Sequence, residues 1–98
     1  MNANEYINGM ADLLRTTGAE YVKVEDIDGR KRIAAKFHSV GEMNSEMKKA
    51  FIANAETLKA LNAGLKALRA SGEIKSATNS WAQTLLEGGM EFRMDFGF

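Results

Sequence analysis

His38 and three carboxylates, Glu25, Asp26 and Asp28, are the side chains on which a reaction or a metal site could be built. His38 is the one histidine and falls beside Lys36 at the end of a predicted strand, on its outward face. A catalytic imidazole needs a nucleophile to activate and a third group to orient it. No serine or acid near His38 has the spacing for either task. A transition metal would need further nitrogen, oxygen or sulfur ligands, and no two carboxylates are spaced to join His38. Glu25, Asp26 and Asp28 could suggest magnesium. A hairpin explains them more simply, two through opposite charges and Asp28 through the turn. There is no cysteine, which removes disulfides, thiol catalysis and Cys-ligated zinc together. Gly88-Gly89 lacks the pattern of a phosphate loop. The expectation is therefore no enzyme, no catalytic or metal-binding residues and no cofactor.

Arg30-Lys31-Arg32 is a basic run that, with Lys48, Lys49, Lys59, Lys66 and Arg69, could line a nucleic-acid surface. Neighbouring acids offset the run, and no exposed aromatic interleaves with these bases for stacking. Thirteen basic residues balance thirteen acidic ones, so bulk charge points to neither nucleic acid nor membrane. No apolar run approaches the ~18–20 residues of a membrane span, and the N-terminus lacks the basic and apolar regions of a signal peptide. The expected location is cytoplasmic.

Val40 to Ser71 is the stretch around which the elements must be arranged, and it reads as one long helix. Asn44, Met47, Phe51, Asn54, Leu58, Leu61, Leu65 and Leu68 alternate three and four apart, as in a heptad seam. A second stripe, Ala50, Ala53, Thr57, Ala60, Gly64, Ala67 and Ser71, is small throughout. Small residues admit a neighbouring backbone closely, and bulky ones fill a wider gap. Either both stripes are internal or one lies in an interface with another chain. Asn54 either fixes register inside the bulky seam or stays wet where the seam splays. Unbroken, this helix would be about 46 Å long. It must then project from the body or kink, with Asn62–Gly64 as the candidate place.

The remaining elements are short. Residues 2–17 predict a helix, with Asn2 as N-cap, Glu5 completing a capping box and Tyr6, Ile7, Met10, Leu13 and Leu14 on one face. Residues 20–38 predict a hairpin turning at Asp28-Gly29, where both residues tolerate positive φ. A two-residue turn there sets Val24 opposite Ile33, Val22 opposite Ala35, Glu25 opposite Arg32, Asp26 opposite Lys31 and Glu20 opposite Phe37. Residues 77–87 predict a short helix with Trp81, Leu85 and Leu86 inward, stopped by Gly88-Gly89. Residues 90–98 alternate apolar and polar, which predicts a half-buried strand. That strand either completes the sheet of its own chain or pairs with another chain.

These elements predict one domain spanning residues 1–98, of α+β class, ordered α-β-β-α-α-β, with a small antiparallel sheet packed on one long central helix. The leading functional expectation is a non-enzymatic protein-interaction module, a small adaptor or inhibitor acting by surface binding and forming a homo-oligomer. Small chains without catalytic residues or cysteine are common among phage-encoded inhibitors, and that association carries the expectation of a phage protein. The candidate interaction residues are Leu58, Leu61, Leu65 and Leu68 of the bulky seam, Ala60, Gly64 and Ala67 of the small strip, and Phe92, Phe96 and Phe98 of the terminal strand. The alternative is a nucleic-acid-binding dimer using the basic helix face and the hairpin tip.

Overall fold

A computed structural model describes residues 1–84 and 88–98. The described elements run α1 (Ala3–Leu14), β1 (Val22–Ile27), β2 (Arg30–Phe37), α2 (Val40–Ala53), α3 (Ala55–Ser71), β3 (Ser76–Gln83) and β4 (Met90–Gly97). The strands form one antiparallel sheet in the order β1-β2-β4-β3. The helices lie on one face of it. The Cα trace extends 39 × 33 × 15 Å, and its thin dimension accommodates two layers. The α+β class and the antiparallel sheet against helices are as the sequence predicts.

α1 begins on the predicted capping box. The Asn2 side chain accepts from the Glu5 N–H, and the Glu5 carboxylate accepts from the Asn2 N–H. The apolar stripe of α1 is buried as expected. The helix ends at Leu14, earlier than expected, because the Thr16 and Thr17 hydroxyls donate to the Leu13 and Leu14 carbonyls and tighten the last turn.

The β1–β2 hairpin has the predicted register from Val22↔Ala35 to Ile27↔Arg30. Asp28 (φ 50°) and Gly29 (φ 78°) both take the positive φ of the turn. The start differs: the N–H of Glu20 donates to the carbonyl of Lys36, so Glu20 does not lie opposite Phe37. The cross-strand charges also sort differently. Arg32 bonds Asp95 of β4 at 2.7 Å, and Glu25 pairs with Lys23 at 3.3 Å. The Asp26–Lys31 pair forms at 4.0 Å.

Two expectations are corrected. The long helix breaks at Asn54 (φ −117°, ψ 35°), not at Asn62–Gly64, which lie within α3. A straight helix over Val40–Ser71 would be longer than the 39 Å extent of the molecule. Asn54 makes the break through its side chain, whose Nδ2 donates to the Ala50 carbonyl at 2.8 Å and to Thr16 Oγ1 at 3.3 Å. The amide thus closes the end of α2 and ties it to the turn after α1, so Asn54 acts as a hinge within the chain.

The second correction is Ser76–Gln83, which is strand β3 where a helix over 77–87 was expected. Ser, Thr and Asn are weak helix formers, and pairing with β4 along the whole strand overrides the helical spacing of Trp81 and Leu85. Gly88 (φ 75°) and Gly89 (φ 83°) belong to the turn of this second hairpin and do not end a helix. A side chain at Gly89 would meet the Phe37 carbonyl oxygen at 2.6 Å. The expected inward packing of Leu85 and Leu86 lies outside the described residues.

β4 is one of the two inner strands of the sheet, between β2 and β3. Its Met90, Phe92, Met94 and Phe96 are buried on the helix side with Ile33, Ala35 and Phe37 of β2. Tyr6 of α1 meets Phe96 edge-on, with ring centroids 5.6 Å apart. So the terminal strand covers the helices of its own chain.

The opposite face of the sheet carries a charged lattice. Glu91 accepts from the Tyr21 hydroxyl and from Arg93 at 2.7 Å, and Lys36 pairs with Glu20 at 3.3 Å. Burial pushes the Glu91 carboxyl up. The hydrogen bonds from Tyr21 and Arg93, with the charges of Arg93 and Lys23, outweigh it and hold the group below its ordinary 4.5. A carboxyl depressed on folding stabilises fully above its unfolded value, and that contribution is lost as pH falls through the folded value. Stability should therefore drop as pH falls below about 4.5. Tyr21→Phe should cost about 1.5–3 kcal/mol at neutral pH, as expected for a hydrogen bond to a charged group. It should also flatten the acid limb, as read from urea midpoints across pH. An acid limb as steep in Tyr21→Phe as in the wild type would remove Tyr21 from this role.

Candidate functional site

The bulky seam of α3 is used inside the chain. Leu61 and Leu68 are buried, and Leu58 and Leu65 pack partly buried against the same core. Gly9 of α1 makes room for this contact, since a Cβ there would lie 2.9 Å from Leu61 Cδ2. Of the small strip, Ala60 and Ala67 are exposed, and Gly64 lies beneath the Met1 side chain. Phe92 and Phe96 are buried in the sheet, while Phe98 is 45% exposed, next to Asn2, Lys31 and Glu73. The structure therefore does not gather these ten residues on one surface.

The basic residues are also divided. Arg32 lies on the charged face of the sheet, bonded to Asp95. Lys48, Lys49, Lys59, Lys66 and Arg69 project from helices on the other face. Lys49 pairs with Glu46 at 3.8 Å. Arg30 is exposed at the hairpin tip. His38 is exposed after β2, beside Trp81 and Val40 in a shallow depression. No group of three His, Cys, Asp or Glu able to hold a metal occurs among the described residues.

What the fold does build is an apolar cleft. The hinge at Asn54 turns α2 and α3 around the sheet without closing over its β3 side. Two adjoining hollows result, of about 360 and 770 Å³. They share Met47, Phe51, Asn79 and Phe92, so they form one trough between the helices and the β3–β4 hairpin. Phe92 forms part of the floor, with Leu58 and Leu65 at one end and Met43 and Ile52 at the other. Ile52 is 69% exposed. The charged side chains lining the trough are Lys48 and Arg69, both basic.

Sequence reasoning missed Ile52, Met43 and Asn79 because the trough depends on the hinge and on β3. The clearest sequence signal was Ile52, a large apolar residue lying off both helical stripes.

No protein family, curated protein or solved structure matches this chain. Among the described residues no helix is long and apolar enough to cross a membrane. The molecule is thus a small two-layer α+β domain with an apolar trough on its helix side.

Proposed function

We propose that the chain is a non-enzymatic binding module, a small adaptor or inhibitor, that receives an apolar segment of a partner protein in the trough. The observation that carries this reading is the exposure of Ile52 beside Met43, Met47, Phe51 and Phe92. Such a patch costs solvation when bare, and contiguous apolar surface of this kind marks interaction sites. Methionine side chains conform to varied partners because they are flexible and polarizable. Lys48 and Arg69 set the electrostatics, so the partner segment carries acidic residues next to its apolar ones. An amphipathic helix laid in a groove between structural layers fits these features.

Selection of short random peptides on the chain tests this. The expected outcome is convergence on apolar residues at i, i+3 or i+4, and i+7 with flanking acids. Ile52→Glu should weaken such peptides by about tenfold or more, since it places a charge where apolar surface is buried. The circular dichroism of the variant should stay as in the wild type, because Ile52 is exposed. Lys48→Glu with Arg69→Glu should reverse the preference towards basic flanks. Unrelated peptides with no common pattern, or binding indifferent to Ile52→Glu, would sink the proposal.

A further inference from the structure

The two outer strands of the sheet are protected unequally. β1 carries Lys23, Glu25 and Asp26, and Arg15 donates to the Val22 carbonyl at 3.5 Å. Proteins guard free strand edges in this way, with charge, proline, short length or a covering group. Among the described residues β3 has none of these. It is eight residues long, SATNSWAQ, without charge or proline, and Thr78–Trp81 is exposed throughout.

The polar groups on that edge can be assigned. The Thr84 N–H donates to Gly89 and the Thr84 carbonyl accepts from Gly88, so both polar groups of Thr84 face β4. Hydrogen-bonded positions alternate along an antiparallel ladder. Ser76, Thr78, Ser80 and Ala82 therefore also bond to β4. Ala77, Asn79, Trp81 and Gln83 turn their N–H and C=O groups outward, and their side chains share the face of Phe92 and Met94.

We infer that β3 pairs with β3 of a second copy of this chain, antiparallel about a two-fold axis at Ser80, to give a continuous eight-stranded sheet. The strand is self-complementary in this register. Ala77 lies opposite Gln83 of the copy and Asn79 opposite Trp81, so all four outward-facing residues pair in both chains. Ser80 meets Ser80 across the axis as a non-hydrogen-bonded pair, and no like charges oppose. Trp81, 51% exposed in the single chain, lies diagonal to Trp81 of the copy on the helix face. Diagonal positions are about 7–8 Å apart, within reach of aromatic side chains. A two-fold contact of this kind closes on itself, and the guarded β1 edge stops further addition. The contact of two eight-residue strands is small, so the dimer is weak.

The inference does not rest on the peptide-binding reading, and its test reads self-association, not peptide binding. Light scattering should show a monomer-to-dimer rise with protein concentration below roughly 1 mM, an affinity proper to a small interface. The single tryptophan should report the same transition, with blue-shifted emission and a coupled-indole circular dichroism signal. Ser80→Glu and Ser80→Lys should each raise the dimer Kd by about tenfold or more through like charges at the axis, and an equimolar mixture of the two should restore the dimer. Asn79→Pro removes an N–H that faces the free edge and no bond to β4, so it too should give a folded monomer. A wild-type monomer at all these concentrations, a dimer indifferent to Ser80→Glu, or a mixture that stays monomeric would overturn the inference.

Discussion

Phe96→Ala should lower the unfolding free energy by about 3–5 kcal/mol, the usual loss on truncating a buried aromatic to alanine. Phe96 is 1% exposed and sits on an inner strand of the sheet. Its ring meets Tyr6 edge-on, so the substitution also removes an aromatic pair that joins α1 to the sheet. Domains of this size are stable by about 5–15 kcal/mol in total, so the variant should be near the edge of folding. Urea unfolding followed by circular dichroism measures the effect. A loss under about 1 kcal/mol would mean that α1 does not rest on β4 as described, since packing of this kind cannot be removed so cheaply.

Leu61→Ala should cost about 2–5 kcal/mol, the range for a buried leucine whose neighbours relax only in part. Leu61 is 4% exposed and lies against Gly9 of α1, where an added Cβ would meet its Cδ2 at 2.9 Å. The variant distinguishes an internal seam from an interface seam. An internal seam loses stability independently of protein concentration. A seam buried by a partner loses association and leaves the folded monomer as stable as before. Chemical denaturation at two protein concentrations separates the outcomes, and an unchanged midpoint would return the seam of α3 to the surface.

Much of the local structure was legible because local rules suffice for it. The capping box at Asn2 and Glu5 and the positive-φ turn at Asp28-Gly29 are settled within a few residues. The β1–β2 register follows from that turn, and the alternation of Met90 to Phe96 gives the buried face of β4. The failures lie where distant parts of the chain decide. Asn54 breaks the helix by reaching Ala50 and Thr16, and heptad spacing contains no information about Thr16. Arg32 leaves its expected partner because β4 brings Asp95 within 2.7 Å. Ser76–Gln83 is extended because β4 offers it a full ladder. The trough depends on the first and third of these, the hinge at Asn54 and the pairing of β3 with β4, so its residues had no common pattern in the sequence.

The position of β4 also bears on how the sheet is assembled. β1–β2 and β3–β4 are each local hairpins, so each closes a short loop. The seam between them joins β2 to β4, with Arg32 and Asp95 separated by 63 positions along the chain. Closing so long a loop is entropically harder than closing either hairpin, and non-local pairing of this kind slows folding. The non-local meeting of the two ribbons is then the step expected to limit the rate of folding. Until they meet, the inner edges of β2 and β4 are as open as the edge of β3 in the finished protein.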